Sequence, residues 1–80
     1  MNKTQFINEF AKRKWTSSRI AYRAVNDVMD TLRVILSCGE DVKLGGFGTF
    51  EVLTDIRGER IPVFKGGKAL KKVLNTIKEE

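Results

Sequence analysis

A glycine-dense stretch at the centre of the chain, Leu44–Val52 (LGGFGTFEV), most constrains how this sequence can fold. Glycine is favoured where the backbone needs a positive φ or where another group approaches too closely for a Cβ atom, so the stretch predicts a sharp turn. Phe47 and Phe50 are expected to anchor the turn to a hydrophobic core, and Thr49–Val52 is typical of the start of a strand. Two interpretations of the turn stay open: the glycines serve backbone geometry alone, or the N–H groups of the turn bind an anion such as a phosphate.

Two helices are predicted before this stretch. Asn2 or Thr4 can cap the first helix, whose apolar residues recur at helical spacing until the basic residues 12–14. The second helix is predicted over about residues 18–38 and ends at Gly39, a residue type favoured just past a helix C-terminus. Its apolar stripe is broad and consists of Ile20, Ala21, Ala24, Val25, Val28, Met29, Leu32, Ile35 and Leu36. Because the first helix is too short to cover this stripe, a second copy of the chain is the expected partner.

After the turn, the sequence predicts a three-stranded antiparallel meander and a final helix. The predicted elements are a strand that starts at Val42, a strand over Thr49–Thr54, a strand over Arg60–Phe64 and a helix over about residues 67–78. Gly58 is expected at a positive φ in the loop between the last two strands, and Pro62, which has no N–H, at a sheet edge. The final helix carries an apolar face of Ala69, Leu70, Val73, Leu74 and Ile77. The fold class is therefore α+β, in a single domain that spans residues 1–80.

The composition excludes several kinds of site. The 80 residues include one cysteine, Cys38, and no histidine, so neither an intrachain disulfide nor a histidine-based metal site or catalytic triad can form. We therefore expect no enzyme, no cofactor, no metal ion and no small-molecule substrate. Cys38 is expected to be a buried or half-buried thiol without a reactive role, and Trp15 is expected to pack against the second helix.

The charge balance favours a polyanionic partner. A formal net charge of +5 and a pI of about 9.7 point to nucleic acid first and to an anionic membrane surface second. No apolar run approaches the ~20 residues of a membrane span, and residues 1–15 contain no apolar leader. We therefore expect no membrane insertion and a reducing, cytoplasm-like compartment.

Three features could meet at a phosphate backbone. They are Lys3-Thr4 at one helix N-terminus, the Gly46-Phe47-Gly48 turn, and Lys65-Gly66-Gly67-Lys68 at another helix N-terminus. Helix N-termini and glycine turns offer N–H donors, and lysines add positive charge. On a basic chain the three together favour DNA binding through the phosphate backbone. The residues alone leave a second interpretation open, in which these features are only caps and turns beside solvent-facing lysines.

The chain also resembles the bacterial histone-like DNA-bending proteins HU and IHF. The resemblance runs from Met1 through Val52 and resumes at Pro62, and Gly46–Val52 (GFGTFEV) is its most specific part. Further matching segments are Met1–Thr4, Ile7-Asn8, Ala24-Val25, Asp30-Thr31, Gly39-Glu40, Phe64-Lys65 and Gly67–Lys71. Such a resemblance implies an intertwined homodimer that binds double-stranded DNA.

In this family, phosphates are clamped by the start of the first helix, by the glycine turn and by the start of the last helix. The resemblance also implies that Phe47, Phe50 and Phe64 form an aromatic cluster in the core. These clamp positions correspond here to Lys3, Thr4, Gly46, Gly48, Lys65, Gly67 and Lys68. Lys43, Arg57 and Arg60 are further candidate DNA-binding residues.

One segment departs from the family pattern. Family members carry long basic β-ribbon arms, each tipped by a proline that wedges between base pairs. Here Leu53–Ile61 stands in place of the arm, and about four residues a side reach only ~13 Å at ~3.3 Å per residue. The segment holds two acidic and two basic residues, and Pro62 matches the base of the family's arm. Intercalative kinking is therefore expected to be lost.

Two functions of different class follow from this departure. In the first, the homodimer holds double-stranded DNA by its phosphates, with little sequence preference and little bending, as a nucleoid-associated protein in the cytoplasm of a bacterium or encoded by a phage. In the second, the chain is an interaction module that forms a heterodimer with a full-length HU-like protein and changes its DNA binding. The retained lysines favour the first function, and the missing arm favours the second.

Overall fold

The computed structural model describes residues 1–76. The elements are α1 (Lys3–Arg13), α2 (Ser18–Ser37), β1 (Val42–Leu44), β2 (Gly48–Thr54), β3 (Arg60–Gly66) and α3 (Lys68–Thr76). The chain divides into two compact units, one of residues 1–33 and one that begins at Val34. Among the described residues, no helix is both long and apolar enough to cross a membrane.

The first unit is built on α1 and the first part of α2. Helix α1 begins at Lys3 because the Oδ1 atom of Asn2 accepts a hydrogen bond from the Gln5 N–H at 2.8 Å, and the Gln5 side chain accepts one from the Asn2 N–H at 2.9 Å. This capping box confirms Asn2 as the cap. Four small or medium apolar side chains form the buried core of this unit: Ile7, Ala11, Ala21 and Val25.

The turn after α1 overturns the expectation for Trp15. The Thr16 N–H donates to the Ala11 carbonyl at 3.0 Å and the Trp15 N–H to the Lys12 carbonyl at 3.5 Å, which is the Schellman pattern that ends many helices. This pattern puts Trp15 in the left-handed region, with φ +53°, and the side chain is 95% exposed. The prediction that Trp15 packs on α2 was wrong, because the turn leaves the following residue, Thr16, as the half-buried one.

The second unit holds the sheet, with strand order β1-β2-β3 and antiparallel pairing throughout. Pro62 lies opposite Val52 on the edge strand β3, as predicted. Strand β3 continues two residues past the predicted end because Gly66 pairs with Gly48. Gly58 has φ +87° in the hairpin loop and Gly39 has φ +84° after α2, and both conformations confirm the predicted roles.

The expectation that Cys38 is buried or half-buried was wrong for the single chain, whereas the core position of the aromatic cluster, which the resemblance implies for a homodimer, stays a prediction. Cys38, which follows the last turn of α2, is exposed. The ring of Phe64 lies 5.3 Å from that of Phe47 and 4.8 Å from that of Phe50, so the aromatic cluster forms, but Phe47 and Phe64 are 47% and 42% exposed. Among residues 34–76, Gly48 is the only buried residue. The predicted apolar residue Ile77 lies outside the described residues.

Candidate nucleic-acid interface

A direct hydrogen bond holds the glycine turn against the start of α3. The Gly67 N–H donates to the Phe47 carbonyl at 2.8 Å, and the Phe47 N–H closes the turn on the Leu44 carbonyl at 3.0 Å. A Cβ atom on Gly67 would lie 3.2 Å from the Phe47 carbonyl oxygen, which is tighter than an ordinary contact. Gly46 has φ +86°, the conformation that the turn requires. Two of the three features predicted to meet at a phosphate are therefore adjacent.

Gly48 brings Lys65 up against the same turn. A Cβ atom at position 48 would lie 2.5 Å from the Lys65 carbonyl oxygen and 2.7 Å from two ring atoms of Phe64. No side chain fits there, so β2 and β3 approach more closely at this point than a residue with a Cβ would allow. The close approach places Lys65 next to the turn on the paired strand, opposite Thr49.

The start of α3 offers free hydrogen-bond donors. Gly67 is the residue before the helix, and its carbonyl accepts from the Lys71 N–H at 3.0 Å, but it has no side chain with which to cap the helix. The first turn contains no acidic residue. Within the described part of the chain, the backbone N–H groups of residues 68–70 have no hydrogen-bond acceptor. Such an N-terminus favours an anion through its N–H groups and through the helix dipole.

The three candidate lysines of this unit differ in whether they form an ion pair within the protein. The Nζ atom of Lys65 lies 3.3 Å from Glu51 Oε1, whereas Lys43 and Lys68 form no ion pair with any of residues 1–76. All three lysines are exposed. An exposed ion pair contributes little stability, so Lys65 can exchange Glu51 for a phosphate at small cost.

In the first unit, Lys3 and Thr4 line a small groove. Its volume is about 320 Å³, and the other lining residues are Ile7, Asn8, Ser18 and Tyr22. The Lys3 and Thr4 N–H groups occupy the first two positions of α1, where no intrahelical acceptor exists. Sequence reasoning missed the polar side chains of Asn8, Ser18 and Tyr22. Helical spacing could have found them, since Asn8 lies four residues after Thr4 and Tyr22 four after Ser18.

The two arginines of the hairpin have partners within the protein. Arg57 Nη2 lies 3.8 Å from Asp55 and 3.9 Å from Glu59 at the hairpin tip. Arg60 Nη2 donates to the carbonyls of Ser37 and Leu36, at 3.0 and 3.3 Å. These carbonyls belong to the last turn of α2, which lacks intrahelical donors, so Arg60 fixes the base of the hairpin to the end of α2.

Among the predicted site residues, the structure thus brings together Gly46, Gly48, Lys65, Gly67 and Lys68. Lys43 is nearby on β1, opposite Thr49. The remaining predicted residues lie elsewhere: Lys3 and Thr4 in the first unit, Arg57 at the hairpin tip and Arg60 against the end of α2.

Residues 1–55 match the sequence family described as Bacterial DNA-binding protein. DNA-binding protein HU 1 of Bacillus subtilis is 37% identical to this chain, over 89% of the chain and 94% of its own length. DNA-binding protein HU of Geobacillus stearothermophilus is also 37% identical, over 89% of the chain and 96% of its own length. The chain belongs to the HU family of bacterial DNA-binding proteins.

Solved structures give the same fold. An HU mutant from Thermotoga maritima superposes with a TM-score of 0.81 at 34% identity, covering 92% of this chain and 99% of its own. HU of Anabaena, from a cocrystal with DNA, superposes with a TM-score of 0.78 at 23% identity, covering 96% of this chain and all of its own. The predicted α+β fold and the family resemblance are both confirmed.

Proposed function

We propose that this chain binds double-stranded DNA as a homodimer, with little sequence preference and with little or no intercalative bending. The observation that carries the proposal is the junction of the glycine turn with the start of α3, where Gly67 donates to the Phe47 carbonyl. Free N–H groups and the exposed Lys65 and Lys68 meet there without an opposing carboxylate in the first turn of α3. A phosphate is the anion that nucleic acid presents to such a site, and phosphate contacts carry little sequence information.

Lys3, Thr4 and the groove beside them form a second phosphate contact in this proposal. Lys43 adds charge beside the glycine turn. The relatives named HU are DNA-binding proteins, which supports the same ligand for this chain. In this proposal the protein acts as a nucleoid-associated protein.

Exposed apolar surface supports the homodimer. In the first unit, α1 and α2 border an apolar groove of about 560 Å³, lined by Met1, Phe6, Phe10, Val28 and Met29 among others. In the second unit, the aromatic cluster and the α3 residues Val73 and Leu74 are exposed. A core of four buried side chains is small for a chain of this length, and a second copy of the chain would cover both surfaces.

Stability should therefore depend on protein concentration. Because folding and association would be coupled, we expect the melting temperature to rise as the concentration increases and the sedimentation mass to be twice the 9.1 kDa of one chain. A folded species of 9.1 kDa at micromolar concentration, with a melting temperature that does not change with concentration, would contradict the dimer.

The short hairpin supports weak bending. The alignment with the Bacillus relative spans 86 positions, more than the part of this 80-residue chain that it covers, so the relative has residues that this chain lacks. The family match ends at residue 55, at the beginning of the hairpin loop. Arg60 ties the base of the hairpin to α2, and only the loop 55–59 extends beyond the paired strands. A tip this short, with two acidic residues and one basic residue, is poorly suited to follow a minor groove.

A duplex of about 30 base pairs with a fluorophore at each end tests the proposal. Anisotropy should report binding whose log K falls with log salt concentration, by about 0.9 for each phosphate neutralised. The distance between the two ends should shorten much less with this protein than with the Bacillus HU relative. No binding by the folded dimer at low salt would refute DNA binding, and equal shortening by both proteins would refute the loss of bending.

The exposed apolar surfaces also favour a second candidate function, in which this chain pairs with a full-length HU protein and modulates its DNA binding. Co-refolding with Bacillus HU, followed by native mass spectrometry, would then yield mixed dimers. Recovery of the two homodimers alone would count against this candidate.

A further inference from the structure

We propose that the turn between α1 and α2 is a second nucleic-acid site, at which an unpaired base of a single strand stacks on Trp15. This site goes beyond the proposed duplex-binding surface. It lies at the C-terminal end of α1, whereas Lys3 and Thr4 lie at the N-terminal end. Eleven helical residues separate the two ends by ~16 Å at 1.5 Å per residue.

The backbone at Trp15 is unusual for a residue with a side chain. Trp15 is the only non-glycine residue with a positive φ in residues 1–76. The end of α2 shows the usual solution for the same turn: the Glu40 N–H donates to the Ile35 carbonyl and the Gly39 N–H to the Leu36 carbonyl, with glycine in the left-handed position. The same backbone turn therefore occurs twice in this chain, once with glycine and once with its bulkiest residue type.

Packing does not account for tryptophan at this position. Trp15 is 95% exposed in the single chain, so within this chain the indole buries almost no surface in return for the strained backbone. Neither local conformation nor the core of the first unit favours tryptophan here over glycine. An exposed indole held at a turn that stops α1 is available to a ligand.

The charge around the indole favours a polyanion. Lys12, Arg13 and Lys14 precede Trp15 directly, and Arg19 follows on the first turn of α2. Glu9 pairs with Arg13, and Lys12 and Lys14 have no ion-pair partner within the described residues. An exposed aromatic residue among basic residues in sequence is typical of single-strand binding proteins, in which bases stack and phosphates are neutralised.

Tryptophan fluorescence, excited selectively over that of Tyr22, reports on this site alone, because the chain has one tryptophan. Titration of the folded protein with an oligothymidine of about 12 residues, within the site sizes typical of single-strand binding, should quench the fluorescence strongly. An abasic oligomer of the same length and charge should bind more weakly and quench little, because it offers phosphates but no base. Equal quenching by both oligomers would show that the protein binds the phosphates and not the bases, and would overturn the stacking site.

Trp15→Gly is the decisive variant, since glycine suits the positive φ and the exposed indole makes no packing contribution. We expect it to melt no lower than the parent protein, to lose about tenfold in affinity for labelled oligothymidine, and to keep its duplex affinity. Trp15→Phe should retain most of the oligothymidine affinity. Unchanged oligothymidine affinity in Trp15→Gly would refute the proposal.

Two controls distinguish single-strand binding at Trp15 from duplex binding and from membrane binding. Lys65→Glu with Lys68→Glu should lower duplex binding while the oligothymidine quenching persists, so the two proposals can fail independently. Vesicles of anionic lipid should leave the emission spectrum unchanged. A blue shift with vesicles, together with no response to oligothymidine, would assign the turn to a membrane surface and overturn the nucleic-acid site.

Discussion

Replacement of Gly48 by alanine is expected to destabilise the protein by about 3 kcal/mol or more. The added Cβ would lie 2.5 Å from the Lys65 carbonyl oxygen, and a backbone atom cannot move aside by a change of rotamer. The two ring atoms of Phe64 at 2.7 Å block the other direction. β2 and β3 would have to separate at the point where the glycine turn meets the start of α3. Chemical denaturation at a fixed protein concentration measures the effect.

The same substitution at two neighbouring glycines provides matched controls. At Gly45 the added Cβ would meet no heavy atom within 4 Å, so Gly45→Ala should change the free energy of unfolding by less than about 0.5 kcal/mol. At Gly46 the space is also open but φ is +86°, so Gly46→Ala should cost about 1 kcal/mol. If Gly48→Ala proved no worse than Gly45→Ala, the close approach of the strands would be disproved.

The second large effect is expected on DNA binding. Lys65→Glu combined with Lys68→Glu should weaken duplex binding at about 0.1 M salt by about 50-fold or more, because each lost phosphate contact removes about 0.9 from the salt slope. Both side chains are exposed, and the one ion pair involved, Lys65 with Glu51, is weak. The fold and the dimer should therefore persist, as circular dichroism and sedimentation can show.

A charge-matched control guards against a general effect of net charge. Arg23→Glu with Arg33→Glu makes the same change of charge on α2, at two residues that are not among the candidate DNA-binding residues, and should weaken binding much less. Equal losses of duplex affinity for the two double variants would mean that binding depends only on the net charge of the protein. That result would remove the specific role of the glycine turn and α3.

Local chemistry made much of the fold predictable. Asn2 was recognisable as a cap because its amide side chain can accept from a free N–H of the first turn. Gly39 and Gly58 could be placed because positive φ values recur at helix ends and hairpin loops, and Pro62 because an edge strand tolerates a missing donor. The residues alone suggested that the glycine turn and the start of α3 meet at a phosphate, and the family resemblance supported this prediction.

The errors concern what each side chain meets in space. Trp15 follows a helix and has an apolar side chain, which predicted that it packs. Its own left-handed backbone conformation directs the side chain towards solvent instead. Phe47 and Phe64 pair as expected, yet their burial depends on surfaces that a single protomer does not supply. Arg60 was named among the candidate DNA-binding residues, and its hydrogen bonds to the end of α2 depend on a long-range contact that no local pattern encodes. Its role at DNA stays a prediction.

The measurement that tests the central claim most directly is an amide NMR titration of the ¹⁵N-labelled protein with a short duplex. The account predicts the largest shift changes at the backbone N–H groups of Gly46, Gly48, Lys68 and Ala69, with a second set at Lys3 and Thr4. These changes should reverse when salt is raised, as phosphate contacts require. Binding that leaves the glycine turn and the first turn of α3 unshifted, while other residues respond, would contradict the assignment of this surface to the phosphate backbone.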